Sequence, residues 1–510
     1  MNNFTPKYFR SRFSLLLSSF FFFVFFVLFR FSVIAQNPDI KRTYHWYFGK
    51  SGGIDWISGN PVLDYSSNGE LCEGPSSISD LNGNLLFYTD GDTVWNRNHQ
   101  IMPNGVGLLG CTSSMQASLI IPQPGNDSLY YIFTTDGIFG SPCGNGSLGM
   151  NYSIVNIKMG GGLGDVVIKN ILLFDTCSEK LTAVHHANNC DVWVLGQNKY
   201  NSDYRIYLLT DTGISNAIVQ QSSIINGGIA QDGSGQMRFS NDGKKLANNI
   251  SIWGADTLEI WDFDNATGVF SNPFKISLEN TPTSSNTWLG LCFSPDNSKL
   301  YINNFSFDTL VEIDQFDLSS GIPSQIISSR TTIAQVDSTI FLNPQIGPDG
   351  KIYLTKYNLR TYSVDSLSGI MNPNAAGLAC NFQYNALKHN AQLPYDNVGY
   401  WSLPDFVESY LNPMFTGSVC ESGIEENSFA DIFSIYPNPA PDYIWIKITS
   451  EKPKNSYDVL IYNILGKEIF EKKEINNKEE KISLKNITDN ILLLQIYYNN
   501  QIIHYKLIKT

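Results

Sequence analysis

Phe239-Ser-Asn-Asp-Gly-Lys-Lys-Leu246 decides the fold, because the chain writes it three times. Phe293-Ser-Pro-Asp-Asn-Ser-Lys-Leu-Tyr301 comes 54 residues later, and Ile346-Gly-Pro-Asp-Gly-Lys-Ile-Tyr353 a further 53 on. Each copy is an apolar strand end, a turn built on Asp and Gly or Asn, a lysine, and a second apolar strand. Asp-Gly between alternating apolar residues is a strong hairpin signal, since Gly supplies the positive φ of a tight turn. Looser copies precede these three: Asp80-Leu-Asn-Gly-Asn84, Gln123-Pro-Gly-Asn126 and Asn188-Asn-Cys-Asp191. With turns at 83, 126, 189, 243, 297 and 350, the spacings are 43, 63, 54, 54 and 53.

A second marker has the same period. Glycines closing apolar strands stand at Gly161, Gly213, Gly268, Gly321 and Gly369, spaced 52, 55, 53 and 48. Two hairpins in every 53 residues or so give about four short strands per repeat, which is one blade of a β-propeller. Few charges (16%) and many aromatics (13%) fit strands better than long amphipathic helices. The fold class is therefore all-β: a propeller of about seven blades within 36–406, a linker at 407–431, and a small β-sandwich over 432–510. The unpaired aromatic strands near Tyr44–Gly49 and Val398–Phe406 are expected to share a composite blade, hiding both free edges.

The first 35 residues read as a signal peptide. Lys7, Arg10 and Arg12 precede an apolar run, Phe13–Leu28, and Val33-Ile34-Ala35 ends in a small residue. The run is short for a spanning helix, and Arg30 interrupts the apolar residues beyond it. Removing four basic residues leaves 30 Lys/Arg against 47 Asp/Glu, a balance of −17. Residues 432–510 hold 11 basic and 9 acidic residues, or +2, so 36–431 carries −19. An acidic body argues against nucleic acid as a partner.

Export predicts an oxidising compartment, and all eight cysteines lie beyond residue 35. No Cys-x-x-Cys pair suggests zinc. Cys177 and Cys190 bracket a short stretch and are the favoured disulfide, with two free thiols as the alternative, while Cys292 reads as a buried thiol.

The tail carries a family resemblance. Ser434-Ile-Tyr-Pro-Asn-Pro-Ala440, Asp442-Tyr-Ile444, Val459-Leu-Ile-Tyr-Asn-Ile-Leu-Gly-Lys467 and Lys506-Leu-Ile-Lys509 resemble, in order and spacing, the type A C-terminal sorting domain of type IX (Por) secretion substrates. Asn490-Ile-Leu492 stands where that family usually has Gly-x-Tyr. The resemblance implies recognition by an outer-membrane translocon, then release or attachment at the cell surface. It makes Pro437, Asn438, Pro439, Gly466, Lys467 and Lys506 sorting-signal residues, with structural rather than catalytic roles. The body resembles, more loosely, WD-repeat and YVTN-like propellers of gliding-motility-associated surface proteins, through Phe-Ser-Pro-Asp-x-x-Lys-Leu-Tyr and Leu85-Leu-Phe-Tyr-Thr-Asp-Gly91. That resemblance implies no reaction.

Three clusters could carry chemistry. His185-His186 with Cys190 and Asp191 offers bases or metal ligands, although neighbouring strand residues point to opposite faces. Glu70 and Glu73 near His99 could form an acid–base pair for glycan cleavage, with Asp92 as a further carboxylate at the channel. Asp90-Gly-Asp92 and Asp262-Phe-Asp264 offer oxygen ligands for Ca²⁺, but the recurrence of Asp90, Asp136 and Asp211 after strands favours Asx turns. No catalytic residue, metal site or cofactor is assigned, and Ca²⁺ is the one cation that the turns would suit. The expected function is a non-enzymatic binding or adhesion module with a protein or glycan ligand. A propeller hydrolase or lyase and a structural motility component are the alternatives.

Overall fold

All six predicted turns form, each around one left-handed residue: Gly83, Gly125, Asn189, Gly243, Asn297 and Gly350, with φ of 93°, 66°, 56°, 67°, 60° and 74°. In the computed structural model, which describes residues 37–510 apart from 139–142, 224–232, 234, 251–256, 279–286, 306–310, 337–338, 359–365, 389–401, 419, 421–432, 438, 449–455, 464–466, 490, 499–500 and 510, each turn joins two antiparallel strands. The pairs are Ser76–Ser79 with Leu85–Thr89, Ser118–Pro122 with Leu129–Thr135, and Cys177–His185 with Val192–Asn198. Met237–Phe239 with Lys245–Ile250, Thr287–Phe293 with Lys299–Phe305, and Thr339–Ile346 with Ile352–Asn358 complete the series. The expected signal peptide, 1–35, lies outside the described residues.

Each hairpin starts a sheet whose strands run in chain order, and these six sheets make up sheets 2 to 7. Sheet 1 differs: His45–Lys50, Gly52–Asp55 and Val62–Asp64 form a meander, and Glu70–Leu71 pairs on its other side with the end of His45–Lys50. The described residues thus give seven propeller sheets, six with four strands and one, sheet 4, with five. Of the second marker, Gly161 lies in a short 3₁₀ turn, Gly213 opens the strand Gly213–Ile214, and Gly268 and Gly321 lie between strands, all four with positive φ, whereas Gly369 lies inside the strand Ser366–Ile370. There the glycine lets backbone and Ala386 approach, since a Cβ would meet that side chain at 2.8 Å.

The first strands of successive sheets lie side by side around an axis. Gln116, just before sheet 3, reaches sheet 5: its Nε2 donates to Met237 O (3.1 Å) and its Oε1 accepts from Met237 N (2.9 Å). Asn343 of sheet 7 donates to Met115 O at 2.8 Å. Sheets 2 and 3 approach so closely that a Cβ on Gly74 (φ 56°) would sit 2.0 Å from Ala117 N. The seam between sheets 7 and 1 is aromatic, with Trp46 and Trp56 of sheet 1 at 6.1 and 5.6 Å from the Tyr353 ring. No composite blade closes this seam among the described residues. Residues 398–401 lie outside them, and Asp405 instead bridges in parallel to Ser76 of sheet 2.

The chain divides into two compact units between residues 419 and 420. Residues 407–418, expected to begin the linker, therefore belong to the first unit. Leu403, Phe406, Val407, Tyr410, Leu411 and Phe415 are all buried in it. A run so rich in large apolar groups has surface to hide, which a solvated linker does not.

The second unit pairs a three-stranded sheet (Phe433–Tyr436, Tyr443–Ile448, Glu479–Ser483) with a four-stranded one (Glu468–Ile475, Tyr457–Asn463, Ile491–Tyr498, Gln501–Ile508). Alternate residues from both face one core: Ile444, Ile446 and Ile448 from the first, Val459, Ile461, Leu494 and Ile496 from the second. Period-2 burial on two sheets is a β-sandwich. Pro437 follows a cis peptide bond, Lys467 N donates to Asn463 Oδ1 at 3.0 Å, and Lys506 pairs with Leu493 in the outer ladder. Asn438 and Gly466 lie outside the described residues.

Candidate functional site

The axis of the first unit is occupied by the chain itself. Arg238 sits mid-strand in sheet 5, with Met237 and Phe239 buried beside it. Its guanidinium, 2% exposed, meets Asp405 and Glu408 at 2.8 Å each. Three buried charges in contact are tolerable only as a set, because each alone would carry a large desolvation cost. Burial, only partly offset by Arg238, pushes the Asp405 carboxyl up to about 7. Burial raises Glu408 as well. Arg238 Nε, Asp405 Oδ2, Ser402 Oγ and Gln236 Nε2 have no protein partner, a pattern that ordered water in the interior would satisfy.

The segment is clasped from the other end of the unit. A short 3₁₀ turn, Pro38–Thr43, is capped by Asn37, whose side chain accepts from Asp39 N. The same amide donates to Ser409 O, Tyr410 O and Asn412 O at 3.3, 2.8 and 3.0 Å. Asp39 pairs with Arg42 at 2.6 Å and accepts from Ser418 N at 2.6 Å. Residues 37–42 and 409–418 thus hold each other.

The histidine cluster separates as adjacent strand positions require. His185 is buried, with Nδ1 2.6 Å from Ser409 Oγ and Nε2 2.9 Å from Ser418 Oγ, and its ring lies 4.6 Å from Phe415. His186 faces the next sheet, with Nε2 3.1 Å from Ala266 O. Cys190 is disulfide-bonded and Asp191 accepts from Asn188 Nδ2 at 2.8 Å. This group holds structure and does not assemble a base. Burial lowers His185 to about 4. The unfolded chain, with histidine near 6.5, therefore binds a proton that the fold excludes between about pH 6.5 and 4. His185 is expected to cost about 2 kcal/mol of stability on acidification from pH 7 to 5. Selectively labelled histidine NMR checks this: His185 should still be neutral at pH 5, and titration near 6.5 would refute it.

The Cys177–Cys190 disulfide does not form. Cys177 is a buried thiol, and the bulged strand Cys177–His185 spans the full partner strand Val192–Asn198, so the two cysteines stand at opposite ends of the hairpin, roughly 20 Å or more apart. The described oxidised cysteines are Cys111, joined to Cys143, with Cys190 and Cys420. Cys292 is a buried thiol.

Glu73 does not pair with His99, and the Glu70 side chain lies outside the described residues. Glu70 pairs by backbone with Lys50 at the edge of sheet 1. His99 sits in the outer hairpin of sheet 2, against the Tyr47 and Tyr88 rings at 5.6 and 5.8 Å. Glu73 precedes the innermost strand of sheet 2, where burial and then the charge of Glu179 push its carboxyl up to about 8. Glu179 is buried and accepts from Met115 N (3.2 Å) and Ile138 N (2.9 Å). The carboxylate neighbour of Glu73 is thus Glu179, 106 positions on in the chain, a partner no local spacing could announce. Asp92 accepts from its neighbour Thr93 Oγ1 at 3.0 Å.

The aspartates behave as turn formers. Asp90 Oδ1 accepts from Asp92 N and Thr93 N at 2.9 and 2.7 Å, and burial raises its carboxyl to about 6. Asp136 accepts from Gly144 N and Leu148 N at 2.8 and 3.1 Å. Both follow second strands, whereas Asp211 follows the third strand of sheet 4, so it is not their equivalent. Asp262 is taken by Lys245 at 2.7 Å and Asp264 by Thr267 Oγ1 at 2.8 Å. Among the described residues no three His, Cys, Asp or Glu side chains converge to hold a metal ion.

One cleft opens where the axial segment meets the turns of sheets 4 and 5. It encloses about 190 Å³ between Asn189, Asn241, Asn265 and Asn412, with Asp242 on one wall and Met414 and Phe415 on another. Asn241 belongs to the repeated turn. Its backbone N donates to Asn297 Oδ1 (2.8 Å) and its Nδ2 to Ser294 O (3.1 Å), while its buried Oδ1 has no partner.

Residues 434–510 match the family described as a secretion system C-terminal sorting domain. The tail is a sorting domain. It marks the chain as a type IX secretion substrate, exported to the outer surface or beyond. No curated protein matches the chain in sequence. Among solved structures, a candidate 6-phosphogluconolactonase of Bacteroides uniformis is 12% identical, covering 68% of this chain and 98% of that one, with a TM-score of 0.42. A periplasmic gluconolactonase of Pseudomonas aeruginosa is 10% identical, covering 71% and 98%, with a TM-score of 0.37. At such likeness neither activity transfers to this chain.

Proposed function

We propose that the exported propeller is a non-enzymatic binding module, carried to the cell surface or medium by its sorting domain and its contact with the secretion machinery. One observation carries this reading: Arg238, Asp405, Glu408 and His185 are spent on holding the segment 402–418, whose Asp405 and Glu408 reach in to the inner strand of sheet 5. A group locked in buried ion pairs and hydrogen bonds is poorly placed to exchange protons with substrate. Recognition is left to the turns and loops around the rim.

A second reading, hydrolysis of an extracellular glycan, has one observation in its favour. Glu73, whose carboxyl burial and then the charge of Glu179 push up to about 8, would hold a proton at neutral pH, as the acid of such a reaction must. Applying the full chain to immobilised glycans and surface proteins, with sugar release measured on every hit, separates the two. Retention without release, unchanged in Glu73→Gln, is the expected result. Release that Glu73→Gln lowers at least a hundredfold would replace the binding reading with the enzymatic one.

A further inference from the structure

From the cleft between the axial segment and the turns of sheets 4 and 5, we propose that this site binds one neutral, polyhydroxylated ring, such as a single sugar residue of a glycan. The proposal rests on the binding-module reading and names the chemistry of its ligand.

The walls specify the class. Asn189, Asn241, Asn265 and Asn412 bring four carboxamides to a volume of about 190 Å³. Each carboxamide offers a donor and an acceptor on one rigid plane, and a hydroxyl is also both. Vicinal hydroxyls are therefore matched by amides, which offer both roles where apolar walls offer neither. At about 190 Å³ the cleft suits one ring and falls below the roughly 300–1,000 Å³ of pockets for drug-sized ligands.

The amides have capacity to spare. Asn241 is 1% exposed, yet its Oδ1 has no partner. A buried acceptor left empty is costly, and an incoming hydroxyl would remove that cost. Asn265 makes its described hydrogen bonds through its backbone carbonyl, to Ala187 N (3.1 Å) and Trp193 Nε1 (2.8 Å), so its side chain is uncommitted. Asn412 accepts from Met414 N at 2.9 Å through Oδ1, which leaves its Nδ2 as a donor.

Charge excludes the main competitors. Among the described residues Asp242 is the one carboxylate on the wall, and its Oδ1 accepts from Ser240 Oγ at 2.7 Å. His185 also borders the cleft, but burial holds it neutral at physiological pH and both its nitrogens are engaged. No cation among the described residues lines the cleft, and Lys244, 3.7 Å from Asp242 Oδ2, is not one of its lining residues, so phosphate, sulfate and carboxylate ligands find no cationic partner on its walls. Met414, 70% exposed, and the buried Phe415 supply the apolar surface that the C–H face of a sugar ring seeks.

Saturation-transfer NMR on the full chain, with methyl glycosides of neutral hexoses and deoxyhexoses as probes and inorganic phosphate and acetate as controls, tests the proposal. At least one glycoside should show transfer at millimolar concentration, and neither anion should compete. Asn241→Ala should weaken binding about tenfold, the scale of one buried hydrogen bond. Asn265→Ala should weaken it severalfold while leaving the melting curve in place, since it removes no intramolecular bond. Competition by phosphate, or glycoside binding indifferent to both variants, would overturn this site while leaving the binding module intact. Absence of transfer from every glycoside, when the immobilised panel still retains the protein, would do the same. Absence of both would sink the two readings together.

Discussion

Arg238→Met is expected to destabilise the propeller by about 3–5 kcal/mol at pH 8, the cost of leaving buried carboxylates without their cation. The variant keeps the volume and apolar stem of arginine, so a cavity contributes little. Its signature is the pH dependence. Asp405 already stands near 7 in the fold against about 3.9 in the unfolded chain, because burial outweighs its ion pair. The folded state therefore holds a proton that the unfolded state releases, and the associated stability, present below pH 4, is lost as pH rises to 7. Without Arg238, Asp405 and Glu408 both climb further, so the gap between wild type and variant widens with pH. Urea midpoints at pH 8 and pH 5 check this. The deficit should shrink at pH 5, and adding Asp405→Asn with Glu408→Gln should recover much of it at pH 8. An equal loss at both pH values would show that Arg238 acts through packing alone. The His185 contribution runs the other way over the same window but is common to wild type and variant, so it cancels in their difference.

The propeller was legible because its information is local. Asn-Asp-Gly at 241–243 and Pro-Asp-Gly at 348–350 demand a left-handed residue at one position, and a period near 53 then counts the sheets. The sandwich was legible for the same reason, through alternation at Ile444, Ile446 and Ile448. The site was not, because its contacts span the chain. Arg238 meets Glu408 across 170 positions and His185 meets Ser418 across 233. Sequence pattern reports period and turn chemistry but not which distant side chains a closed ring brings together. Two local clues to the axis were nonetheless present. Arg238 interrupts the apolar strand Met237–Phe239, and Asp405 and Glu408 interrupt Leu403–Leu411. Opposite charges embedded in apolar runs seldom bury without each other, so the two segments could have been paired. The Cys177–Cys190 pairing fails for a physical reason that spacing does not carry: the chain between them is a strand that holds its ends apart.

Truncation provides the largest contrast. A chain ending at residue 431 should keep a fully folded propeller, and one ending at 401 should not fold. The two differ by the axial segment, whose Leu403, Phe406, Val407, Tyr410, Leu411 and Phe415 are buried in the first unit. Each such side chain contributes about 1.5–3 kcal/mol when removed from water, so the six together rival the whole stability of a domain, about 5–15 kcal/mol. The shorter chain also leaves Arg238 as an unpaired buried cation and strips Asn37 of its three carbonyl acceptors. Loss of near-ultraviolet circular dichroism and of cooperative unfolding in the 401 chain, with both retained in the 431 chain, is the expected result. A folded 401 chain would mean that the seven sheets close on their own, through Trp46, Trp56 and Tyr353 at the seam. It would make the axial segment an occupant of the channel rather than part of its core, and the channel a place where a ligand could compete with it.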